Sequence, residues 1–333
     1  MNARLTTPRA ARAERNLFRR FAFLCAALVT AIPALLPAKP ADLFRLGFSS
    51  SMLAGVNDND ARASLRALSA VVSRERRINA DPEPLLFNGA DAVADAVLAA
   101  EVDAVAITVD EYWALGSRVR FSRFLLGTID GDPADTYLLV VRRDRQLSDL
   151  AALRQHTLAV HGTPRMRLGY LWLEVALARD SAPPAEEFFS RVFRTSKLSK
   201  AVLDVFFKRA DACLVTQRGL AAMAELNPQI ARQLVPIASS PSLVPSFFGF
   251  RAGMQPAFLE TLVHQLGTVQ NTPAGKQAVT IFQVGDLGEF PAETLQPALD
   301  LLDEYRARRP AEAARLIESL RASAAGPIGG AML

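Results

Sequence analysis

The sequence predicts an α/β protein of two lobes built on similar plans. Three observations carry this. Half of the 333 residues are hydrophobic, enough to bury the cores of two domains of ordinary size. From Phe44 onward, short apolar runs alternate with amphipathic stretches, the pattern of β–α units around a mostly parallel sheet. The alternation also runs in two matching copies: Gly89 to Val105 and Ser196 to Cys213 each lead a helix of about three turns into a strand through Asp-Ala.

Taken in order, Phe44 to Phe48 reads as the first strand. Asn57 to Asp60 supplies cap chemistry for a helix whose Leu65, Leu68, Val71 and Val72 share one face. Leu85 to Phe87 is a second strand, and Gly89 turns into a helix with Val93, Val97 and Leu98 inward. Asp103 to Ile107 is a third strand, and Phe121 to Ile129 ends in the turn Asp130-Gly-Asp-Pro133. Tyr137 to Val141 is the run that leaves one lobe for the other.

The second block begins with a short helix over Leu147 to Leu153 and a strand from Thr157 to Val160. Thr163 and Pro164 then fit the N-cap and first position of a long helix through Leu177. Strands are expected at Val192 to Thr195, Asp211 to Val215 and Leu234 to Ala238, with a helix from Lys197 to Lys208. Phe247 to Arg251 reads as a return strand, and everything after it as helical.

The formal charge of +4 belongs to the leader. Residues 1–39 hold seven Lys/Arg against Glu14, which leaves 31 basic and 33 acidic residues and a charge of −2 for the remainder. A nucleic-acid partner is excluded, because such a surface needs clustered cations on a folded face. The Arg-rich start, the apolar run Phe21 to Leu36 and the small residues near Ala38 form a secretory signal peptide over residues 1–39. The rival reading is an uncleaved anchor, for which 16 apolar residues are short of the ~20 a span needs. Export with cleavage makes the protein periplasmic, with the membrane reached only through an uncleaved leader. Cys25 leaves with the leader, and Cys213 stands alone in an apolar run as a buried, inert thiol.

Catalytic material is thin. His156, His161 and His264 have no partners at metal-ligand spacing, so neither a metal nor a cofactor is expected. No nucleophile elbow, P-loop or dinucleotide fingerprint occurs in a strand-turn-helix setting. His161, at a strand end, reads as a loop or hinge residue. Acid pairs such as Asp110-Glu111 and Glu186-Glu187 read as ordinary solvated faces.

The sequence does place small hydroxyl residues at strand ends that precede helices: Ser49 to Ser51, Thr108, Thr163, Thr195-Ser196 and Thr216. Free N–H groups and the positive end of the helix dipole make such tips anion sites. Arg165 and Lys197 stand in first turns, where a cation is unfavourable and a bound anion resolves the cost. The plain alternative at each position is an N-cap with a solvated charge. Tyr112 and Trp113 are placed to wall a pocket, with core packing the equal alternative for Trp113. Gln217 adds a neutral donor and acceptor, or an exposed helix position.

The segment Lys197-Leu-Ser-Lys-Ala-Val-Leu-Asp-Val-Phe-Phe-Lys-Arg-Ala-Asp-Ala-Cys-Leu-Val-Thr216 resembles the centre of phosphate/phosphite/phosphonate-type solute-binding proteins of ABC transporters. Leu226-Asn-Pro-Gln-Ile230, Ser239 to Pro245, Phe48-Ser-Ser, Asn57 to Ala61 and Val102 to Thr108 with Glu111-Tyr112 extend the resemblance over about residues 44 to 305. It implies a type 2 periplasmic binding fold: lobe 1 from 40–140 and 246–333, lobe 2 from 141–245, and two crossovers as a hinge. It further implies a monomer, not an enzyme, that captures a small anionic or polar solute between the lobes for an ABC transporter permease. The implied ligand-binding residues are Ser49, Ser50, Asn57, Thr108, Tyr112, Thr163, Arg165, Ser196, Lys197, Thr216 and Gln217. Thr216 and Gln217 stand where an acid would recognise an amino group, which speaks against an aminophosphonate and leaves a plain oxyanion or another small polar solute open. Two alternatives share the architecture: an enzyme of the thiamine-pyrimidine or menaquinone-pathway type, and a ligand-sensing subunit of a signalling system.

Overall fold

The computed structural model describes residues 43–53, 58–280 and 284–322; the leader and Asn57 lie outside them. Strands β1 (Leu46–Ser49), β2 (Leu85–Phe87), β3 (Ala104–Thr108), β4 (Phe121–Thr128), β10 (Ser246–Arg251) and β11 (Asp286–Phe290) form one sheet, in the order β11-β4-β10-β3-β1-β2. Strands β5 (Tyr137–Arg142), β6 (Thr157–His161), β7 (Arg191–Thr195), β8 (Ala212–Thr216) and β9 (Leu234–Ser239) form the other, in the order β7-β6-β8-β5-β9. β5 thus lies wholly in the second sheet, starting a few residues before the 140/141 boundary.

Both sheets are mixed, where alternation alone suggested mostly parallel ones. β1 pairs parallel with β2 and β3, and β6 pairs parallel with β7 and β8. The remaining pairings, through β10, β4 and β11 and through β5 and β9, are antiparallel. Every residue of β1 and β3 is buried, as expected for strands covered on both faces.

The helices are α1 (Asp58–Arg76), α2 (Ala90–Leu98), α3 (Val109–Leu115), α4 (Arg167–Arg179), α5 (Ala185–Phe188), α6 (Leu198–Phe206), α7 (Gln217–Leu226), α8 (Pro228–Gln233), α9 (Pro256–Gly267), α10 (Pro273–Thr280), α11 (Gln296–Arg308) and α12 (Pro310–Arg321). One apolar core covers a face of the first sheet with α2 and α3 and continues through α4, α11 and α12 to the second. α1, α9 and α10 close the other face of the first sheet, and α6 that of the second.

Several expectations are corrected. β11 interrupts the C-terminal helices and pairs with β4. Leu147 to Leu153 contains only a 3-10 turn, Ala151–Leu153, because Ser148 and Asp149 bond locally instead of extending a helix. Leu98 is 63% exposed, since it is the last residue of α2 and turns away from Val93 and Val97. The helix opening at Pro164 starts as a 3-10 turn, Pro164–Met166, before α4, and the Thr163 hydroxyl makes no cap bond.

Two crossovers, 129–136 and 240–245, join the sheets and pair with each other. Asp135 and Leu243 exchange both main-chain hydrogen bonds at 2.9 Å, and the Ser240 hydroxyl accepts from Tyr137 N at 2.8 Å.

Candidate functional site between the strand tips

The parallel strands end at the crossovers. Thr108, at the end of β3, lies opposite Ser246, and Thr216, at the end of β8, lies opposite Tyr137. Each following helix is fastened to a crossover by its first N–H: Val109 donates to Pro245 O at 3.0 Å and Gln217 to Thr136 O at 2.8 Å. The turn after β1 (Ser50–Leu53) approaches the turn after β6 (Pro164–Met166) within 8 Å, Cα to Cα. This brings the turn that holds Ser50 near the turn that holds Arg165.

On the first-sheet side, the hydroxyls converge on a carboxylate. Glu111, 2% exposed, accepts from Ser49 Oγ at 2.6 Å, Ser51 Oγ at 2.7 Å, Thr108 Oγ1 at 2.9 Å and Thr108 N at 3.2 Å. Both hydroxyl protons are thus spent on Glu111, and Ser49 Oγ also accepts from Ser51 N at 3.2 Å. The reading of Asp110-Glu111 as a solvated face is overturned, as both are buried. The signal was present: Thr108 and Glu111 form a capping box, Thr-x-x-Glu.

On the second-sheet side, the Arg165 carbonyl accepts from Tyr137 Oη at 2.8 Å, and its guanidinium stands 3.7 Å from Asp135. Burial pushes the Tyr137 phenol well above its ordinary pKa. Arg167, absent from the expected site, forms an ion pair with Asp110 of α3. Burial works against its charge, but Asp110 and Glu111 outweigh that and hold its pKa above the usual value. Internal carboxylates therefore meet part of the charge that the sequence assigned to a bound anion.

The other expected residues divide. Thr216 is the N-cap of α7, its hydroxyl accepting from Gly219 N at 3.1 Å, and Gln217 beside it is exposed. Ser196 and Lys197 are exposed beyond β7, the outer strand, with the Thr195 hydroxyl accepting from Lys197 N at 3.3 Å. His161 is half-buried. Burial lowers its pKa, and a hydrogen bond to the Ser196 backbone works the other way. Tyr112 packs on Phe121 and Phe247 with ring centroids at 5.6 and 5.2 Å, and burial raises its pKa. Trp113 belongs to the α3–α11 packing: its Nε1 donates to Asp303 at 2.9 Å and Arg306 stacks on its ring. Cys213 is fully buried, which pushes its thiol up to about 12. Among the described residues, no His, Cys, Asp and Glu group could hold a metal, and no helix is long and apolar enough to cross a membrane.

Two mixed α/β sheets joined by paired crossovers define a two-lobed fold of the type 2 periplasmic binding class. The chain belongs to the family of phosphonate ABC transporter periplasmic substrate-binding proteins, whose model matches residues 58–293. A binding protein component of an ABC phosphonate transporter from Pseudomonas aeruginosa is similar at 17% identity, over 84% of this chain and 95% of that one, with a TM-score of 0.53. A Xanthomonas citri protein bound to ATP is similar at 19% identity, over 81% and 98%, with a TM-score of 0.57. PhnD1 from Prochlorococcus marinus in complex with methylphosphonate is similar at 11% identity, over 79% and 98%, with a TM-score of 0.54. No curated protein matches the chain.

Proposed function

We propose that the protein is exported, loses residues 1–39 and captures a small oxyanion between its lobes, without chemistry, for delivery to an ABC permease. The observation that carries this reading is the approach of the Ser50–Leu53 turn to the Pro164–Met166 turn beside the paired crossovers. Lobe 1 is residues 40–140 and 246–333, and lobe 2 is 141–245. Ser49, Ser50, Thr108 and Tyr112 contribute from lobe 1; Thr163, Arg165, Ser196, Lys197, Thr216 and Gln217 contribute from lobe 2; Asn57 completes the set.

Charge supports the orientation of the guest. Residues 141–245 hold 15 Lys/Arg and 9 Asp/Glu, whereas the rest of the mature chain holds 16 and 24. The anionic end of the solute therefore faces lobe 2, drawn there by the field of that lobe. Capture without turnover is supported by the family itself, which is one of substrate-binding proteins. The bound methylphosphonate of the Prochlorococcus relative supports the phosphorus oxyanion class.

Calorimetry of the mature protein with phosphate, phosphite and methylphosphonate tests the reading. Saturable one-to-one binding of at least one is expected. Absence of heat with all three overturns the ligand class.

A further inference from the structure

The register of the second sheet gives it two distinct ends. Tyr137 opposite Thr216 and Leu138 opposite Ser239 put one end at the crossovers. Thr157 beside Arg191, Leu158 beside Ala212, Val141 opposite Ala212 and Arg142 opposite Leu234 align the far end. There an exposed arginine accompanies every strand: Arg191 opens β7, Arg154 precedes β6, Arg209 precedes β8, Arg143 follows β5 and Arg232 precedes β9. In the order β7-β6-β8-β5-β9 they form a row four strand spacings long, about 19 Å.

Internal acids answer little of this charge. Arg209 meets Asp204 at 3.0 Å, while Asp144 is held by Arg142 at 2.9 Å and Asp211 pairs with Arg145. Among the described residues, Arg143, Arg154, Arg191 and Arg232 have no carboxylate partner. Arg154 and Arg191 lie instead over Phe188 and Phe193, 5.3 and 5.6 Å from the ring centroids, which steadies their guanidinium groups without neutralising them. The segments 142–157, 187–191, 207–211 and 225–234, which meet at this end, hold eight Lys/Arg and five Asp/Glu, whereas the rest of residues 40–333 holds 23 and 28.

Two apolar side chains break the same surface. Phe207, directly after α6, is 59% exposed, with the Arg209 guanidinium 5.5 Å from its ring centroid. Leu226, the last residue of α7, is 85% exposed. α7 begins at the crossover end and β9 begins at the far end, so the chain returns between them and carries Leu226 toward the arginines.

We propose that the far end of the second sheet docks on an anionic phospholipid surface, with the arginine row on the headgroup phosphates and Phe207 and Leu226 entering the interface. Guanidinium groups without carboxylates keep their forked donors for phosphate oxygens. The exposed ring and leucine select a bilayer over a soluble polyanion, because apolar side chains gain nothing from a phosphate chain and are stabilised at the boundary between headgroups and acyl chains. The inference goes beyond solute capture and does not depend on it. The crossovers lie at the opposite end of the sheet, so docking leaves them uncovered.

Vesicle sedimentation of the mature protein tests this. At low salt, phosphatidylcholine vesicles carrying about 30% phosphatidylglycerol should bind it at least about 100-fold more strongly than pure phosphatidylcholine, and added salt should reduce the difference. Each arginine near such a surface contributes about fivefold, so Arg154→Gln, Arg191→Gln and Arg232→Gln together should weaken binding at least about 30-fold. That variant should melt like wild type, since none of the three loses a carboxylate. If it melts lower, Arg143→Gln with Arg232→Gln replaces it and should weaken binding at least about tenfold. Phe207→Trp should shift its emission to the blue on anionic vesicles, and Phe207→Ser with Leu226→Ser should weaken vesicle binding about tenfold while leaving retention on heparin unchanged. Equal binding to the two vesicle types, no binding to either, or full binding by the glutamine variants overturns the inference. Serine variants that bind vesicles like wild type overturn it in favour of a general polyanion site.

Discussion

Asp103 and Asp211 hold equivalent places in the two sheets. Each accepts, through Oδ2 at 3.0 Å, the main-chain N–H of the residue at the mouth of the neighbouring strand: Arg45 before β1 and Thr157 at the start of β6. The register is the same in both, since the next residues pair as Leu46 with Ala104 and Leu158 with Ala212. The Asp-Ala step is thus a device that fixes where one parallel strand begins against its neighbour. Parallel strands have no tight turn to set register, so a side chain does it.

Asp211→Asn should therefore destabilise the fold by about 1.5–3 kcal/mol, the range for a hydrogen bond to a charged group. Burial favours the neutral acid, but the bonds from Thr157 and the pair with Arg145 outweigh it and bring Asp211 down to about 2. A depressed folded-state pKa contributes stability above the unfolded value of about 3.9, and that contribution is lost as pH falls toward 2. Urea midpoints at pH 7 and pH 3 should converge for variant and wild type at the lower pH.

Glu111→Ala should cost more, about 3–5 kcal/mol, because three hydroxyls and the Thr108 N–H would lose a buried acceptor together. Glu111→Gln keeps the shape and one acceptor oxygen, and should cost about 1–2 kcal/mol. Denaturant unfolding of both variants checks the order, and equal losses would show that size rather than charge holds the tip together.

Most of the alternation was legible because β1, β3, β6 and β8 are buried strands whose own residues are apolar. β11 was not, since Asp286-Leu-Gly-Glu-Phe290 buries only Leu287 and is a strand only because β4 offers it an edge. The site was legible in its hydroxyls and hidden in its acids. Nothing near Asp110 or Asp135 in sequence tells that Arg167 and Arg165, 57 and 30 positions on, come from the other sheet to meet them. Burial of a charge is a property of the partner, and the partner is set by tertiary structure.

Gly169→Ala should disturb the second-lobe tip. A Cβ there would lie 2.5 Å from Tyr137 Cδ1 and 2.7 Å from Cγ, and the ring is fully buried with its hydroxyl on Arg165 O. Forced repacking of this kind costs about 1–3 kcal/mol. In a double-mutant cycle with Tyr137→Leu the two losses should not add, because the smaller side chain relieves the clash.

Cys213 should resist thiol reagents in the native protein and react only on unfolding. Its burial among Val140, Ala159 and Val202 raises the pKa to about 12, which leaves almost no thiolate at pH 8. Peptide mapping after timed labelling checks this, and rapid native labelling would show that the second lobe opens locally.

The Asp110–Arg167 pair ties the helix after β3 to the helix that follows β6. It joins an element of the first sheet's side to one of the second's, and Asp110 is 1% exposed. Two charges removed from water recover their hydration only if they meet, so removing one partner strands the other. Asp110→Ala or Arg167→Ala should each cost about 3–5 kcal/mol, whereas Asp110→Leu with Arg167→Met should cost much less, because no charge is then left unpaired. If the pair serves only stability, the double variant should bind oxyanion like wild type. If it also fixes the register of the lobes, the double variant should melt near wild type yet bind more weakly, since each lost ångström of alignment moves Arg165 relative to Ser49. Melting and calorimetry on the same samples separate these outcomes, and because the pair ties elements that follow strands of different sheets, we expect the second.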